Sequence, residues 1–425
     1  MTKRSALVPF AVLALTLASW VCAESAGTRK NTKIVLFKEF VSEDLKQQLI
    51  ATAGGRVVRE LSLVNGVEVE FTATAALMTW RTAAAVSSTQ SGEQKLKAKY
   101  QVETVEPNEY RNWLVSGPAA LQSVVIPSAQ QFLRQAIQNK AAAPAVGEAA
   151  AKAEAQDKKI PWGVSRVKAP AVWERSTGAG VKVGIIDTGI DYTHPALKAN
   201  YKGGTNTATK GGDAKDDHGH GTHVAGTIAA AGDDIVGVAP QASLYAIKVL
   251  DENGYGTTAS IVDGLAWCVE NKMNIVNMSL GGPASEALEK AVKAAVAAGV
   301  TIVAASGNDP DSSVSAPARY SEVIAVSAST SQDGSAEFSS TGPEVDFIAP
   351  GNEVLSTYPG GGTATMSGTS MATPHVAGLA ALARGLGADT PAAVRAMLQK
   401  SATPLKDLKP EQQGAGMIEA DRFLR

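Results

Sequence analysis

Cysteine is nearly missing from this sequence, since only Cys22 and Cys268 among its 425 residues carry a thiol. Cys22 lies in an N-terminal segment that we expect to be removed, so Cys268 would stand alone and the mature chain should contain no internal disulfide. The apolar spacing of residues 261–269 predicts a helix around Cys268. A buried, inert thiol is therefore favoured over a cysteine nucleophile.

An excess of either charge is also lacking, because 39 Lys and Arg residues face 41 Asp and Glu residues and the net charge is −2. This balance gives no electrostatic reason to expect binding to nucleic acid or to an anionic membrane. Beyond its N-terminal segment the sequence has no apolar run long enough to cross a bilayer. The hydrophobic fraction of 44% and the 40 glycines are typical of a globular protein with many tight turns.

The N-terminal segment has the features of a secretory signal peptide. Two basic residues precede an apolar run over 6–20, and small residues lead to a cut after Ala23. We therefore expect residues 1–23 to be removed and the protein to be secreted, with no membrane attachment afterwards. A transmembrane anchor is disfavoured because the run is short, and a lipid-modified Cys22 is disfavoured by its bulky neighbours.

Three regions of different texture follow the signal segment. Residues 31–110 contain short alternating strands and helical stretches, one of them predicted over 73–85, and indicate a small α+β unit. Residues 111–157 are partly rich in Ala, Glu and Lys and indicate a linker, with a short amphipathic helix over 128–139. Residues 158–425 form the largest region.

This largest region alternates between nearly continuous apolar strands and helices. The alternation is typical of an α/β fold, a parallel sheet covered by helices on both faces, with active groups at the carboxyl ends of the strands. The predicted strands are 181–186, 244–250, 275–278, 300–305 and 323–326, and the predicted helices are 220–231, 260–271, 285–298 and 373–386.

Two segments bring a carboxylate and several imidazoles into this pattern. Asp187 ends a buried strand in Val-Gly-Ile-Ile-Asp-Thr-Gly, where an aspartate is often only a cap. Three of the five histidines, His218, His220 and His223, fall within Asp-Asp-His-Gly-His-Gly-Thr-His. A metal site is the obvious alternative, but the zinc signature with a glutamate between two histidines is absent.

A third segment places a serine at the start of a helix. Ser370 follows a Gly-Thr turn and precedes a helix of small residues, with Pro374 expected in the first turn of that helix. The simpler alternative is that Ser370 only caps the helix. The Gly-x-Ser-x-Gly elbow of another serine hydrolase fold is not present here.

Together these segments resemble the subtilisin-like serine proteases, the subtilases, over residues 160 to 425. Their chain order of Asp, His and Ser is the subtilisin order, and further stretches match at 237–240, 277–282 and 305–308. The resemblance implies a three-layer α/β/α fold with a parallel sheet. It also implies that Asp187 is the triad acid, His220 the general base, Ser370 the nucleophile and Asn308 the side-chain donor to the oxyanion.

The same resemblance implies how substrate binds. An extended peptide would lie between two backbone edges, Gly254, Tyr255 and Gly256 on one side and Ser279, Leu280 and Gly281 on the other. Recognition mainly through backbone implies protein or peptide substrates and broad specificity. The small residues at 304–307 would bound the pocket for the residue before the cut and leave room for large side chains.

The front unit at 31–110 resembles the inhibitory propeptide of the family, an α+β (ferredoxin-like) domain that occupies the cleft of its own enzyme. The chain would then be a self-processing precursor whose own propeptide is an intramolecular inhibitor, and the mature enzyme a monomer. A linker of this length is unusual for the family. The cut could therefore lie just after Tyr110, near Asp157, or at both places.

The family pattern also bears on metals. No cofactor is required for the chemistry, and no metal is assigned to the catalytic residues. The usual structural calcium site would need oxygen ligands near residues 231–236 and 196, where the loop is short and Ala196 replaces an aspartate. We therefore expect no tight calcium there, while a site elsewhere, using Asp213, Asp216 or Asp217, stays open.

Two other functions share parts of this pattern. A catalytically silent relative could bind peptides without cutting them, but all four catalytic positions hold the required residue types. An esterase or acyl transferase could use the same triad. The two peptide-binding edges favour proteolysis.

Overall fold

The computed structural model describes residues 32–71, 91–114, 125–126 and 160–424. The predicted signal segment 1–23, the predicted helices 73–85 and 128–139, and most of the linker therefore lie outside the described residues. Among the described residues, no helix combines the length and the apolar character that crossing a bilayer requires.

The front unit is an antiparallel sheet in the order β2-β3-β1-β4, with helices packed against it. Its elements are β1 (Thr32–Phe37), α1 (Glu43–Thr52), β2 (Gly55–Leu61), β3 (Gly66–Phe71), α2 (Gly92–Lys97) and β4 (Val102–Asn108). Ser42 caps α1 by accepting the Leu45 N–H. α2 begins at a capping box formed by Ser91 and Gln94, and Leu96 is its only buried residue.

The largest region is built on a nine-stranded sheet in the order β17-β18-β14-β13-β12-β11-β7-β9-β8. The neighbouring strands are parallel except for β17 and β18. The strands of this sheet are β7 (Lys182–Asp187), β8 (Tyr201–Asn206), β9 (Ser243–Lys248), β11 (Ile275–Met278), β12 (Thr301–Ala305), β13 (Ile324–Ser329), β14 (Phe347–Pro350), β17 (Ala402–Thr403) and β18 (Met417–Ile418).

Helices cover both faces of this sheet. They are α3 (Trp162–Arg166), α4 (His220–Ala229), α5 (Thr258–Glu270), α6 (Glu286–Ala297), α7 (Thr369–Gly385), α8 (Pro391–Lys400) and α9 (Pro410–Gln413). One apolar cluster joins α5 and α6 to the sheet, and a second joins α4, α7 and α8 to its other side. The predicted three-layer α/β/α fold is confirmed, and Cys268 is buried on α5 as expected. Burial raises the pKa of its thiol, which keeps it protonated.

Short strands complete the structure at two other places. β5 (Arg111–Asn112) pairs with β10 (Tyr255–Gly256), and β6 (Val125–Ile126) pairs with β16 (Gly362–Met366), which also pairs with β15 (Val354–Tyr358). β5 and β6 come from the predicted linker. This region therefore contributes strands to the edges of the catalytic part.

The chain reverses its direction of winding around β7. After β7 it forms β8 and β9 on one side, and then crosses to β11 on the other side. A crevice outside the carboxyl ends of the strands opens at such a point. Asp187 ends β7, and Ser279 follows β11, so both border this crevice.

One prediction about the serine helix is wrong. α7 begins at Thr369, after Gly368, rather than at residue 373. Pro374 is consequently the sixth residue of the helix and not part of its first turn. The small residues that follow Gly368 allow the helix to start early, and the missing N–H of Pro374 leaves the carbonyl four residues earlier, that of Ser370, without its helical donor.

Candidate active site

A buried carboxylate and a buried imidazole form the centre of the site. The Nδ1–H of His220 donates to Asp187, at 2.8 Å from Oδ1 and 3.0 Å from Oδ2. His220 opens α4, and Gly219 before it has a φ of 110°, a conformation that favours glycine. Because the carboxylate can only accept, it fixes the tautomer in which the other ring nitrogen, Nε2, is a base.

The pKa of His220 reflects two opposing effects. Burial lowers the pKa, but the charge of Asp187 and its hydrogen bond raise it, with a further contribution from Asp216, and the net pKa lies above the ordinary 6.5. The imidazolium is therefore stabilised in this position. A base of this kind suits proton transfer near neutral pH.

Asp216 organises the loop that carries the histidine. Its carboxylate accepts the hydroxyl of Thr188, the N–H groups of His218 and Gly219, and both the N–H and the hydroxyl of Thr222. These bonds tie the end of β7 to the start of α4. From the sequence alone Asp216 is only a possible calcium ligand, and its role in the loop is not visible there, because its partners come from two separate segments.

Ser370 lies in the first turn of α7 and is 3% exposed. Its hydroxyl donates to the carbonyl of Ser279 at 3.1 Å. Ser279 follows β11, which is the sheet neighbour of the strand that ends at Asp187. The structure thus brings the predicted nucleophile to the crevice that Asp187 and His220 border, with its backbone N–H at the positive end of a helix.

The side-chain amide of Asn308 packs against the turn that precedes Ser370. Its Oδ1 accepts both the N–H and the hydroxyl of Thr369, each at 2.8 Å. This assignment makes Nδ2 the opposite end of the amide. Nδ2 lies 3.1 Å from the position that a Cβ on Gly368 would take. An amide donor therefore stands within two residues of Ser370.

The two predicted substrate edges hold a segment of the chain itself. β5 pairs with Tyr255 and Gly256, and Trp113 then bridges both edges, since its N–H donates to Gly254 and its carbonyl accepts from Gly281. Its indole N–H donates to the Gly256 carbonyl at 3.1 Å. Trp113 is fully buried.

Gly282 makes room for this tryptophan. A Cβ at Gly282 would lie 2.6 Å from the indole ring of Trp113. The side chain of Leu280 is buried in the apolar cluster under α5 and α6. Leu280 therefore contributes to the edge through backbone alone.

Two other histidines of the motifs, His223 and His375, are fully buried. The Nε2–H of His223 donates to the carbonyls of Val354 and Ala364, and burial lowers the pKa of His223 to about 3. Burial also lowers the pKa of His375 to about 4. Both rings are neutral at ordinary pH. Within the described part of the chain, no group of three or more His, Cys, Asp or Glu side chains is arranged to hold a metal ion.

Residues 178–416 of the chain match the model of the subtilase family. Subtilisin BL from Lederbergia lenta is 47% identical over 271 residues, covering 63% of this chain and 99% of that protein. Subtilisin E from Bacillus subtilis (strain 168) is 47% identical over 256 residues, covering 58% and 67%. An intracellular serine protease from Paenibacillus polymyxa is 45% identical over 285 residues, covering 63% and 87%.

The three-layer fold and these matches define a subtilisin-like serine endopeptidase, a hydrolase that needs no cofactor for its chemistry. The chain belongs to the subtilase family.

Proposed function

We propose that this endopeptidase cuts peptide bonds through a triad of Ser370, His220 and Asp187. His220 takes the proton of the Ser370 hydroxyl while Oγ forms a bond to the substrate carbonyl carbon. The imidazolium returns this proton to the nitrogen of the leaving amine as the C–N bond breaks, and an acyl-enzyme remains. Water then attacks the ester with the same base, which releases the acid and restores the serine.

The remaining groups act on charge. The negative oxygen that develops on the substrate would be held by Nδ2 of Asn308 and the backbone N–H of Ser370. Asp187 stabilises the imidazolium and does not itself take up the proton. The observation that carries this proposal is the buried pair of His220 and Asp187, at 2.8 Å, together with Ser370 in the first turn of α7, a helix that packs against α4.

Hydrolysis of casein, with and without a serine-directed phosphonate, tests this function. We expect the processed enzyme to degrade casein and the phosphonate to abolish the activity. Ester cleavage without casein cleavage would favour the esterase alternative. Casein binding without any hydrolysis would favour the silent relative.

We also propose that the front unit is an inhibitory propeptide. The Glu106 carboxylate accepts the Ser285 hydroxyl and the N–H groups of Glu286 and Ala287, at the start of α6. Asn108 likewise accepts the Ala259 N–H at the start of α5. Carboxylate and amide oxygens placed at helix N-termini satisfy donors that would otherwise lack partners.

Apolar contact and ion pairs add to these caps. Ile34, Leu36 and Leu61 belong to the same buried cluster as α5 and α6. Arg59 pairs with Asp263 at 3.2 Å, and Glu103 pairs with Lys290 at 2.5 Å. Since β5 and Trp113 then continue between the two substrate edges, the front unit is positioned to exclude other peptides.

The same contacts bear on where the precursor cuts itself. Residues 111–113 lie between the substrate edges, so a cut just after Tyr110 would separate the unit from the segment that it places in the cleft. We propose that the first cut lies on the C-terminal side of Trp113, beyond the segment that the two edges hold. Sequencing the N-terminus of the mature enzyme tests this, and a mature chain that starts at Arg111 would contradict it.

Export, a monomeric state and broad specificity also belong to this proposal. The composition of residues 1–23 supports secretion, but the relative from Paenibacillus polymyxa is named an intracellular protease. Fractionation of producing cells decides between the two locations, with the mature enzyme expected in the medium. Size-exclusion chromatography and a peptide library test the other two proposals.

The pH dependence of kcat/KM should have an acid limb centred above pH 6.5, because the base must be neutral and the pKa of His220 is raised. The free energy of unfolding has the opposite pH dependence, since the contribution of His220 is largest at low pH. The Asp187–imidazolium pair stabilises the folded state below the unfolded pKa of 6.5, and this contribution is lost as pH rises through the folded pKa. A kcat/KM titration from about pH 5 to about pH 9 checks the limb, and a midpoint below the ordinary value would contradict the assignment.

Replacing Asn308 by leucine should lower kcat by about 10²–10³-fold, the size that loss of the asparagine donor has in subtilisin. KM should change little, since the amide faces the charge of the transition state and not the substrate edges. Steady-state kinetics on a chromogenic peptide measures both constants. An increase in KM at unchanged kcat would instead place Asn308 in substrate binding.

A further inference from the structure

The backbone carbonyl of Ser370 has an unusual position in α7. In a regular helix it would accept the N–H of residue 374, but Pro374 has none. Ser370 is 3% exposed, so its carbonyl needs another donor within the protein. The hydroxyl of Ser279 supplies it at 2.8 Å.

A second side chain orients this hydroxyl. Nδ2 of Asn277 donates to Oγ of Ser279 at 2.9 Å. Because an accepted bond fills one lone pair of a hydroxyl, its own hydrogen turns towards another acceptor, which here is the Ser370 carbonyl. The Ser370 hydroxyl donates back to the carbonyl of Ser279 at 3.1 Å. Two reciprocal bonds therefore join Ser279 to Ser370, and Asn277 supports them.

Asn277 is an unfavourable residue for its place. It lies on β11 in the middle of the nine-stranded sheet and is fully buried, as are Ile275, Val276 and Met278 around it. In the part of the chain that the structure describes, no protein donor reaches its Oδ1. A buried polar atom of this kind lowers stability relative to an apolar side chain. The hydrogen bond that Nδ2 donates to Ser279 is therefore the feature that an apolar side chain could not supply at this position.

We infer that Asn277 and the hydroxyl of Ser279 are positioning residues for the reaction. They hold the backbone of Ser370 at the N-terminus of α7, and so they fix the positions of Oγ and of the N–H that would face the oxyanion. Neither side chain needs to touch substrate. This inference rests on the proposed role of Ser370.

Two variants and a matched control test it in the full-length protein. Asn277→Leu removes the hydrogen bond that orients the Ser279 hydroxyl. Ser279→Ala removes the hydrogen bond from that hydroxyl to the Ser370 carbonyl, but keeps the backbone edge proposed to bind substrate. Each should lower kcat by about 10-fold or more while KM stays within about twofold, because misplacing a reacting group costs rate and not substrate binding. kcat is counted per site titrated with the phosphonate.

Thr301→Val is the control. Thr301 lies on the neighbouring strand β12, is 2% exposed, and its hydroxyl also has no partner among the described residues. Its replacement should leave kcat unchanged. Melting temperatures, measured in the Ser370→Ala background to prevent self-digestion, should not fall for Asn277→Leu or Thr301→Val.

A stable Asn277→Leu enzyme with reduced kcat supports the inference, as does a double variant no worse than either single one. An unchanged kcat in Ser279→Ala overturns it, even if Asn277→Leu fails to fold. A loss of kcat that Thr301→Val shares also overturns it. Failure of the proposed function itself looks different, since Ser370→Ala would then retain activity.

Discussion

Replacing Ser370 by alanine is expected to leave a full-length precursor that neither cuts itself nor degrades casein. Turnover should fall by about 10⁶-fold, the size that removing the nucleophile has in subtilisin. The free energy of unfolding should change little, because alanine keeps α7 intact and the substitution removes one hydrogen bond, from the Ser370 hydroxyl to the Ser279 carbonyl. Gel analysis of the purified protein over time measures self-cleavage directly.

Ser367→Ala is a suitable control for this experiment. Ser367 lies three residues earlier, outside the helix, and its hydroxyl accepts the N–H of Glu353. This variant should process itself like the wild type. A Ser370→Ala precursor that still matures, in a preparation free of wild-type enzyme, would show that another residue is the nucleophile.

Replacing Trp113 by alanine should release the cleft from its own precursor segment. Trp113 is fully buried between the two substrate edges, and its indole N–H donates to Gly256. Truncating a buried tryptophan to alanine costs about 3–5 kcal/mol, or about 10²–10⁴-fold in an equilibrium constant. The cleft should be open far more often as a result.

The rate at which the phosphonate labels freshly processed, undissociated enzyme measures this opening. We expect a rise of about 10²-fold or more for Trp113→Ala. Tyr100→Ala is the control, because Tyr100 is 73% exposed on the front unit, where its ring stacks on Phe40 and lies under the ammonium group of Lys38. A labelling rate equal to that of the wild type would show that Trp113 does not close the site.

The features that could be predicted from the sequence are those written in short stretches of chain. The strand that ends at Asp187 is a continuous apolar run, and the helix that starts at His220 follows an Asp-His-Gly turn, so both elements were located correctly. The three-layer arrangement follows from the alternation of such strands with helices. The prediction that Asn308 and Ser370 are site residues rests on motifs rather than on spacing.

What could not be predicted depends on contacts between distant segments. Nothing next to Trp113 in the sequence indicates that Gly282 leaves space for its ring. The bond from Asn277 to Ser279 joins two residues of one motif. Its purpose becomes visible only in the structure, where the Ser279 hydroxyl donates to the Ser370 carbonyl, which has lost its helical donor because Pro374 has no N–H. Asp216 was missed as an organiser of the loop for the same reason.

The most direct test of the central claim is a crystal structure of the mature enzyme after reaction with the phosphonate. We predict that the phosphorus is bonded to the protein through one atom only, Oγ of Ser370, with its leaving group lost. Nε2 of His220 and Nδ2 of Asn308 should each lie within about 3 Å of the adduct's oxygens. A phosphonate bound to another residue, or a His220 ring turned away from Ser370 in an active, correctly folded enzyme, would contradict it.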